Sequence, residues 1–146
     1  MEYFTAPDDA AAAGVLFGGP ETVFPTVSCG NFLADAAMTE WESLLLGRAV
    51  GERDTSPRPR VVAGLGSGRA ARVFAASAAL QSALAGAGRE ALAALAERWI
   101  AERWAAEYAE ELGEMRAETV REILWQLADL ARAAGALRQA VYCWMC

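Results

Sequence analysis

The sequence predicts an α+β fold, predominantly helical, with a small mixed or antiparallel sheet formed by the two termini and a central hairpin. Three observations predict it. Val120, Ile123, Leu124, Leu127, Leu130 and Ala131 recur at helical spacing and make the cleanest amphipathic stripe in the chain. The closing run Ala140-Val141-Tyr142-Cys143-Trp144-Met145-Cys146 is almost unbroken apolar and aromatic, with no charge after Arg138, as in a strand covered on both faces. Two further apolar runs, Val61-Val62-Ala63 and Arg72-Val73-Phe74-Ala75, flank the cluster Gly64-Leu65-Gly66-Ser67-Gly68, which a hairpin explains most simply.

Taken in order, Glu2 to Ala6 reads as a short edge strand. Asp8 to Phe17 reads as a helix, with Pro7 and two aspartates suited to its first turn and Gly18-Gly19-Pro20 stopping it. Residues 21 to 30 read as irregular. Asn31 can cap a helix from Phe32 to Leu46, whose Phe32, Leu33, Ala36, Ala37, Trp41, Leu44 and Leu45 share a broad face before Gly47 ends it. Residues 48 to 60, with Gly51, Pro57, Pro59 and mixed charge, form an exposed loop within one domain spanning 1–146.

After the hairpin, Ser77 is placed to cap a helix carrying Leu80 and Leu84, which Gly86-Ala87-Gly88 closes. Arg89 to Leu112 reads as a long helix, with Leu92, Leu95, Ala96, Trp99, Ile100, Trp104, Tyr108 and Leu112 inward and charged residues between them. Ala117 to Ala134 is the last helix, with Gly135 placed as its C-terminal cap. The strand within Leu137 to Cys146 would then be central in the sheet.

Composition narrows the function. The 146 residues are 55% hydrophobic, a figure raised by 34 alanines, and rich enough in larger apolar types to fold as one core. All 13 basic residues are arginine, against 19 acids, for a formal charge of −6. That balance opposes binding to nucleic acid or anionic lipid through counterion release. No long uncharged apolar stretch offers a membrane span, and the opening residues lack the basic and apolar regions of a secretory signal, so a cytoplasmic protein is expected. Cys29, Cys143 and Cys146, odd in number, are expected as reduced thiols.

Two missing residue types close whole mechanisms. Without histidine there is no imidazole base, no Ser-His or Cys-His pair and no histidine-containing zinc site. Without lysine there is no Schiff base and no phosphate-gripping Walker or kinase lysine. No catalytic residue, metal ligand or cofactor is assigned, and a non-enzyme is the expectation. Cys143 and Cys146 have CxxC spacing, but residues three apart on an extended chain point to opposite faces, about 10 Å apart, beyond disulfide reach. Glu40 with Glu42, and Glu107, Glu110, Glu111 and Glu114, read as solvated helix faces rather than acid–base pairs.

The glycine cluster carries the main alternative. Gly64, Gly66, Gly68, Arg69 and Arg72 resemble a phosphate-binding turn that would take a nucleotide or S-adenosylmethionine, although a dinucleotide fingerprint wants glycine where Arg69 stands. Of the five tryptophans, Trp41, Trp99 and Trp144 fit core faces, while Trp104 and Trp125 lie at the margins of their stripes and are candidates to contact a partner.

The opening Tyr3-Phe4-Thr5-Ala6-Pro7, the helix end Trp41-Glu42-Ser43-Leu44-Leu45-Leu46-Gly47-Arg48 and the closing Tyr142-Cys143-Trp144-Met145-Cys146 together resemble a family of small actinobacterial proteins of unknown function. More distantly their order is similar to the YfbM-like α+β family, whose members also close on a short apolar strand containing a tryptophan. The resemblance implies the fold and brings no catalytic residue. The expected function is a non-catalytic cytoplasmic accessory or protein-partner module, immunity-like, meeting a protein partner or a second copy of itself; the alternative is the small-ligand reading of Gly64 to Arg69.

Overall fold

In the computed structural model the closing run is the middle strand of a five-stranded antiparallel sheet. The structure describes residues 1–30, 34–47, 59–64, 71–105 and 115–146. Its elements are β1 (Glu2–Ala6), α1 (Asp9–Ala13), β2 (Thr26–Ser28), α2 (Ala34–Leu45), β3 (Arg60–Gly64), β4 (Arg72–Ala75), α3 (Ala78–Gly86), α4 (Arg89–Ala105), α5 (Ala117–Leu137) and β5 (Ala140–Met145). Strand order is β2-β1-β5-β4-β3, so both termini and the β3–β4 hairpin build the sheet, as the sequence predicts.

The period-two alternation of β5 sorts its side chains between two cores. Val141 and Cys143 face the larger one with Tyr3, Val27, Phe74 and the helices α2 to α5, whereas Tyr142 and Trp144 face the smaller one with Phe4, Val73, Val15 and Leu16. Because both faces are covered, the strand has no polar side to display, which is why the sequence there is nearly continuous apolar. The smaller core is thin. Among the described residues its outer layer is only α1, five residues long, and the connection running to β2.

Several expectations change. β1 is an interior strand, paired to β2 through Tyr3↔Val27 and to β5 through Tyr3↔Cys143, and all five of its residues are buried. The segment read as irregular supplies β2, three residues too short to show a repeat. The first helix stops at Ala13 and continues as turns to Gly18. Asn31, Phe32 and Leu33, the loop residues 48–58, and the far end of the long helix with Tyr108 and Leu112 lie outside the described residues.

Ser77 caps α3 as its position suggests, its hydroxyl accepting from the Leu80 amide at 2.9 Å. Arg132 then ties the other end of α3 to α5, donating to the carbonyls of Ala85 and Ala87, each at 3.0 Å. Gly135 does not end α5. The helix runs on to Leu137 and Arg138 takes the left-handed conformation at φ 55°, with the Gln139 amide donating to the Ala134 carbonyl at 2.8 Å. A Cβ in that region is strained, so Arg138→Gly is expected to raise stability by about 0.5–1 kcal/mol, read as a higher Tm in thermal unfolding.

Candidate functional site

The outer layer of the smaller core presents the most distinctive surface. It begins where Asp8 caps α1, accepting from the Ala11 amide at 2.8 Å. Asp9, in the first turn, accepts a two-pronged ion pair from Arg60 at 2.6 and 3.0 Å and a hydrogen bond from the Tyr142 hydroxyl at 3.1 Å. The guanidinium holds the Asp9 carboxyl below the usual range, while burial and the bond to Asp9 push the Tyr142 phenol up to about 12. These contacts fasten α1 across β3 and β5.

The chain after α1 is pinned as firmly. The Trp144 indole donates to the Leu16 carbonyl at 3.1 Å, and Gly19, at φ 75°, brings its backbone onto the same ring, where a Cβ would sit 3.7 Å from it. Phe24 stacks on Phe4, centroids 5.6 Å apart. Between these anchors Phe17 is 80% exposed and Val23 63% exposed, two large apolar side chains held outward by a fixed connection. The structure places Glu21 between them, also exposed.

Glu21 has a second neighbour. Glu2 is buried, 8% exposed, and one of its carboxylate oxygens has no hydrogen-bond partner among the described residues. Burial, and then the bond and like charge of Glu21, raise its carboxyl to about 6 from 4.5. A raised folded value means that the fold prefers the protonated acid: this contribution is complete below about pH 4.5 and is lost as pH rises through 6. After discounting for solvent screening, the group is expected to cost on the order of 1 kcal/mol at pH 7.5. Glu2→Gln should therefore gain stability over the native chain between pH 4.5 and 7.5, measured as the difference between the two urea midpoints at each pH.

Of the acids read as solvated faces, Glu40 and Glu42 are instead interior, and Glu107, Glu110, Glu111 and Glu114 lie outside the described residues. Glu40 and Glu42 do diverge, as residues two apart on a helix must, but α2 has a neighbour on each side. Glu40 accepts from the Trp99 indole of α4 at 2.7 Å, and Glu42 accepts from the Ser77 hydroxyl at 2.5 Å just before α3. Both are less than a tenth exposed. Each ties α2 to a neighbouring helix, Glu40 to α4 and Glu42 to the cap of α3, a structural use of a carboxyl group.

Of the candidate partner residues, Trp125 is half-buried on α5. Its indole donates to the Arg89 carbonyl at 3.1 Å, and the guanidinium carbons of Arg89 and Arg121 lie 4.8 and 5.4 Å from its ring centroid, within cation–π range. Trp104 falls in the last turn of α4 and its side chain is outside what the structure describes. Trp125 packs against the larger core, across the sheet from the layer that carries Phe17, a residue the sequence places at a helix end and gives no role.

Of the glycine-loop residues, Gly64 ends β3 and pairs with Arg72 on β4, its Cβ position 3.3 Å from the Arg72 side chain. Gly66, Gly68 and Arg69 lie outside the described residues. The loop joins two antiparallel strands, whereas the phosphate-binding fingerprint joins a strand to a helix N-terminus. A cleft of about 380 Å³ between α3, the end of α5 and the start of β5 is lined by small residues with Gln81 and Gln139. The Gln81 amide is spent on backbone, donating to the Gln139 carbonyl at 3.2 Å and accepting from the Val141 amide at 3.0 Å, which extends the sheet's ladder past the end of β4.

The thiols separate as their spacing requires: Cys143 is buried, Cys146 exposed. Burial pushes the Cys29 thiol up to about 12 and the Cys143 thiol well above its ordinary range, so neither is an activated nucleophile. Among the described residues no group of three or more acids and cysteines could hold a metal ion, and no helix is long and apolar enough to cross a membrane.

No protein-family model, curated protein or solved structure matches this chain.

Proposed function

We propose that this protein is a non-catalytic partner-binding module whose contact surface is the outer layer around Phe17 and Val23. One observation carries the reading: a phenylalanine 80% exposed on a connection that Trp144, Gly19 and Phe24 hold in place. An exposed aromatic on a fixed support loses little entropy on contact, which suits it to anchor an interface. The missing histidine and lysine, the raised thiols and the structural use of Glu40 and Glu42 agree with a role outside catalysis. An immunity-type accessory protein acting in the cytoplasm is the specific form of this reading.

Co-purification of the tagged protein with the products of adjacent genes tests it, comparing the native chain with a Phe17→Ser, Val23→Ser double variant. Both sites are exposed, so the variant should keep its Tm and lose its partner. Equal recovery of the partner by both proteins overturns the reading. Self-association through the same surface would register as a dimer that the double variant abolishes.

A further inference from the structure

The charge around this layer is lopsided. Residues 1–47 contain seven acids, Glu2, Asp8, Asp9, Glu21, Asp35, Glu40 and Glu42, and no basic residue; the first arginine is Arg48. Glu40 and Glu42 are consumed in the helical core, and Asp9 is matched by Arg60. Asp8 is spent as the cap of α1, and Asp35 lies in the first turn of α2. What remains on the connection that carries Phe17 and Val23 is Glu21, exposed, and against Glu21 the buried Glu2, one of whose oxygens has no hydrogen-bond partner among the described residues. Arg60 is the only cation that the described residues bring to α1.

We infer that the occupant of this surface is a basic amphipathic segment of a protein partner, its apolar side chains on Phe17 and Val23 and an arginine or lysine on Glu21. The inference rests on the partner-binding reading and adds the partner's chemistry. An apolar contact supplies affinity without choosing between partners of either sign; an exposed carboxylate set among the apolar side chains admits a basic segment and repels an acidic one. A cation set against Glu21 also relieves the like-charge contact between Glu21 and Glu2, a gain that an apolar or acidic partner cannot supply.

The test titrates the full chain with two labelled peptides of one amphipathic helical pattern, one of leucine and arginine, the other of leucine and glutamate, read by fluorescence anisotropy. The arginine peptide is expected to bind at least about tenfold more tightly than the glutamate peptide and to weaken as salt is raised. Glu21→Arg should weaken it about tenfold. Glu118→Arg makes the same change in net charge on α5, across the sheet, and should leave it within about twofold. Phe17→Ser should weaken it with Tm unchanged.

Equal loss in Glu21→Arg and Glu118→Arg overturns the proposal, because binding then follows net charge and not this surface. Failure of the arginine peptide to bind overturns it as well. If both peptides bind alike and both are lost in Phe17→Ser, the basic partner is overturned while the partner-binding reading stands. That reading fails separately, when a genuine partner ignores Phe17→Ser, Val23→Ser.

Discussion

Trp99→Ala is expected to destabilise the protein by about 3–5 kcal/mol, lowering Tm by roughly 10 °C or more in a chain of this size. The side chain is 1% exposed at the junction of α4 with α2, and its ring meets Trp41 edge-on, centroids 5.4 Å apart at 63°. Alanine would remove one of the two fully buried tryptophans of the helical core and one half of an aromatic pair. It would also remove the 2.7 Å indole donor to Glu40, whose carboxylate lies inside the protein.

Trp99→Phe separates these effects, since it keeps an aromatic ring and deletes the N–H. Its cost should be about 1–3 kcal/mol, the range for removing a buried donor to a charged acceptor. Chemical denaturation of the three proteins measures both differences. A total loss below about 1 kcal/mol for Trp99→Ala would mean that α2 and α4 do not depend on this contact.

The parts of the fold legible in the sequence are those where one physical requirement dominates. α5 shows its stripe because its inner face alone is packed, and β5 shows a continuous run because both of its faces are. Ser77 was recognisable as a cap because a hydroxyl just before a helix has one obvious donor to accept from. β2 was not recognisable, because three residues hold too little alternation. β1 read as an edge strand because pairing partners are not local: its burial depends on β2 and β5, and β5 is more than 130 residues away.

Glu40 and Glu42 were misread for a related reason. A pair of acids two apart usually marks a solvated face, and nothing in α2 itself says that helices pack on both sides of it. Gly135 drew the helix end toward itself because glycine has no penalty at positive φ, yet the left-handed turn falls on Arg138, where the geometry of β5 requires it. At the candidate site, the glycines and proline after Phe17 suggest a helix stop there, whereas α1 already ends at Ala13 and the chain goes on as turns to Gly18. The outward direction of Phe17 was not readable, because it follows from where Trp144 and Gly19 hold the backbone. The signal that was available, the absence of any basic residue before Arg48, lies in charge order and not in apolar spacing.

Phe4→Ala is the other substitution expected to cost about 3–5 kcal/mol, and it bears on how the two cores depend on each other. Phe4 is fully buried on the thin side of the sheet, stacked between Phe24 and Tyr142 with both centroids 5.6 Å away. Removing it would leave a cavity under a layer that has a five-residue helix and a few anchors with which to collapse around it. Tyr3 and Thr5, the residues on either side, face the helices, so β1 transmits the loss directly to the larger core. The expected result is one cooperative transition at lower Tm, with near-ultraviolet circular dichroism of the Trp41–Trp99 pair and far-ultraviolet signal changing together. If the tryptophan signal instead survives while amides of residues 14–24 lose their protection from hydrogen exchange, the outer layer unfolds by itself, and the surface around Phe17 is less rigid than its anchors imply.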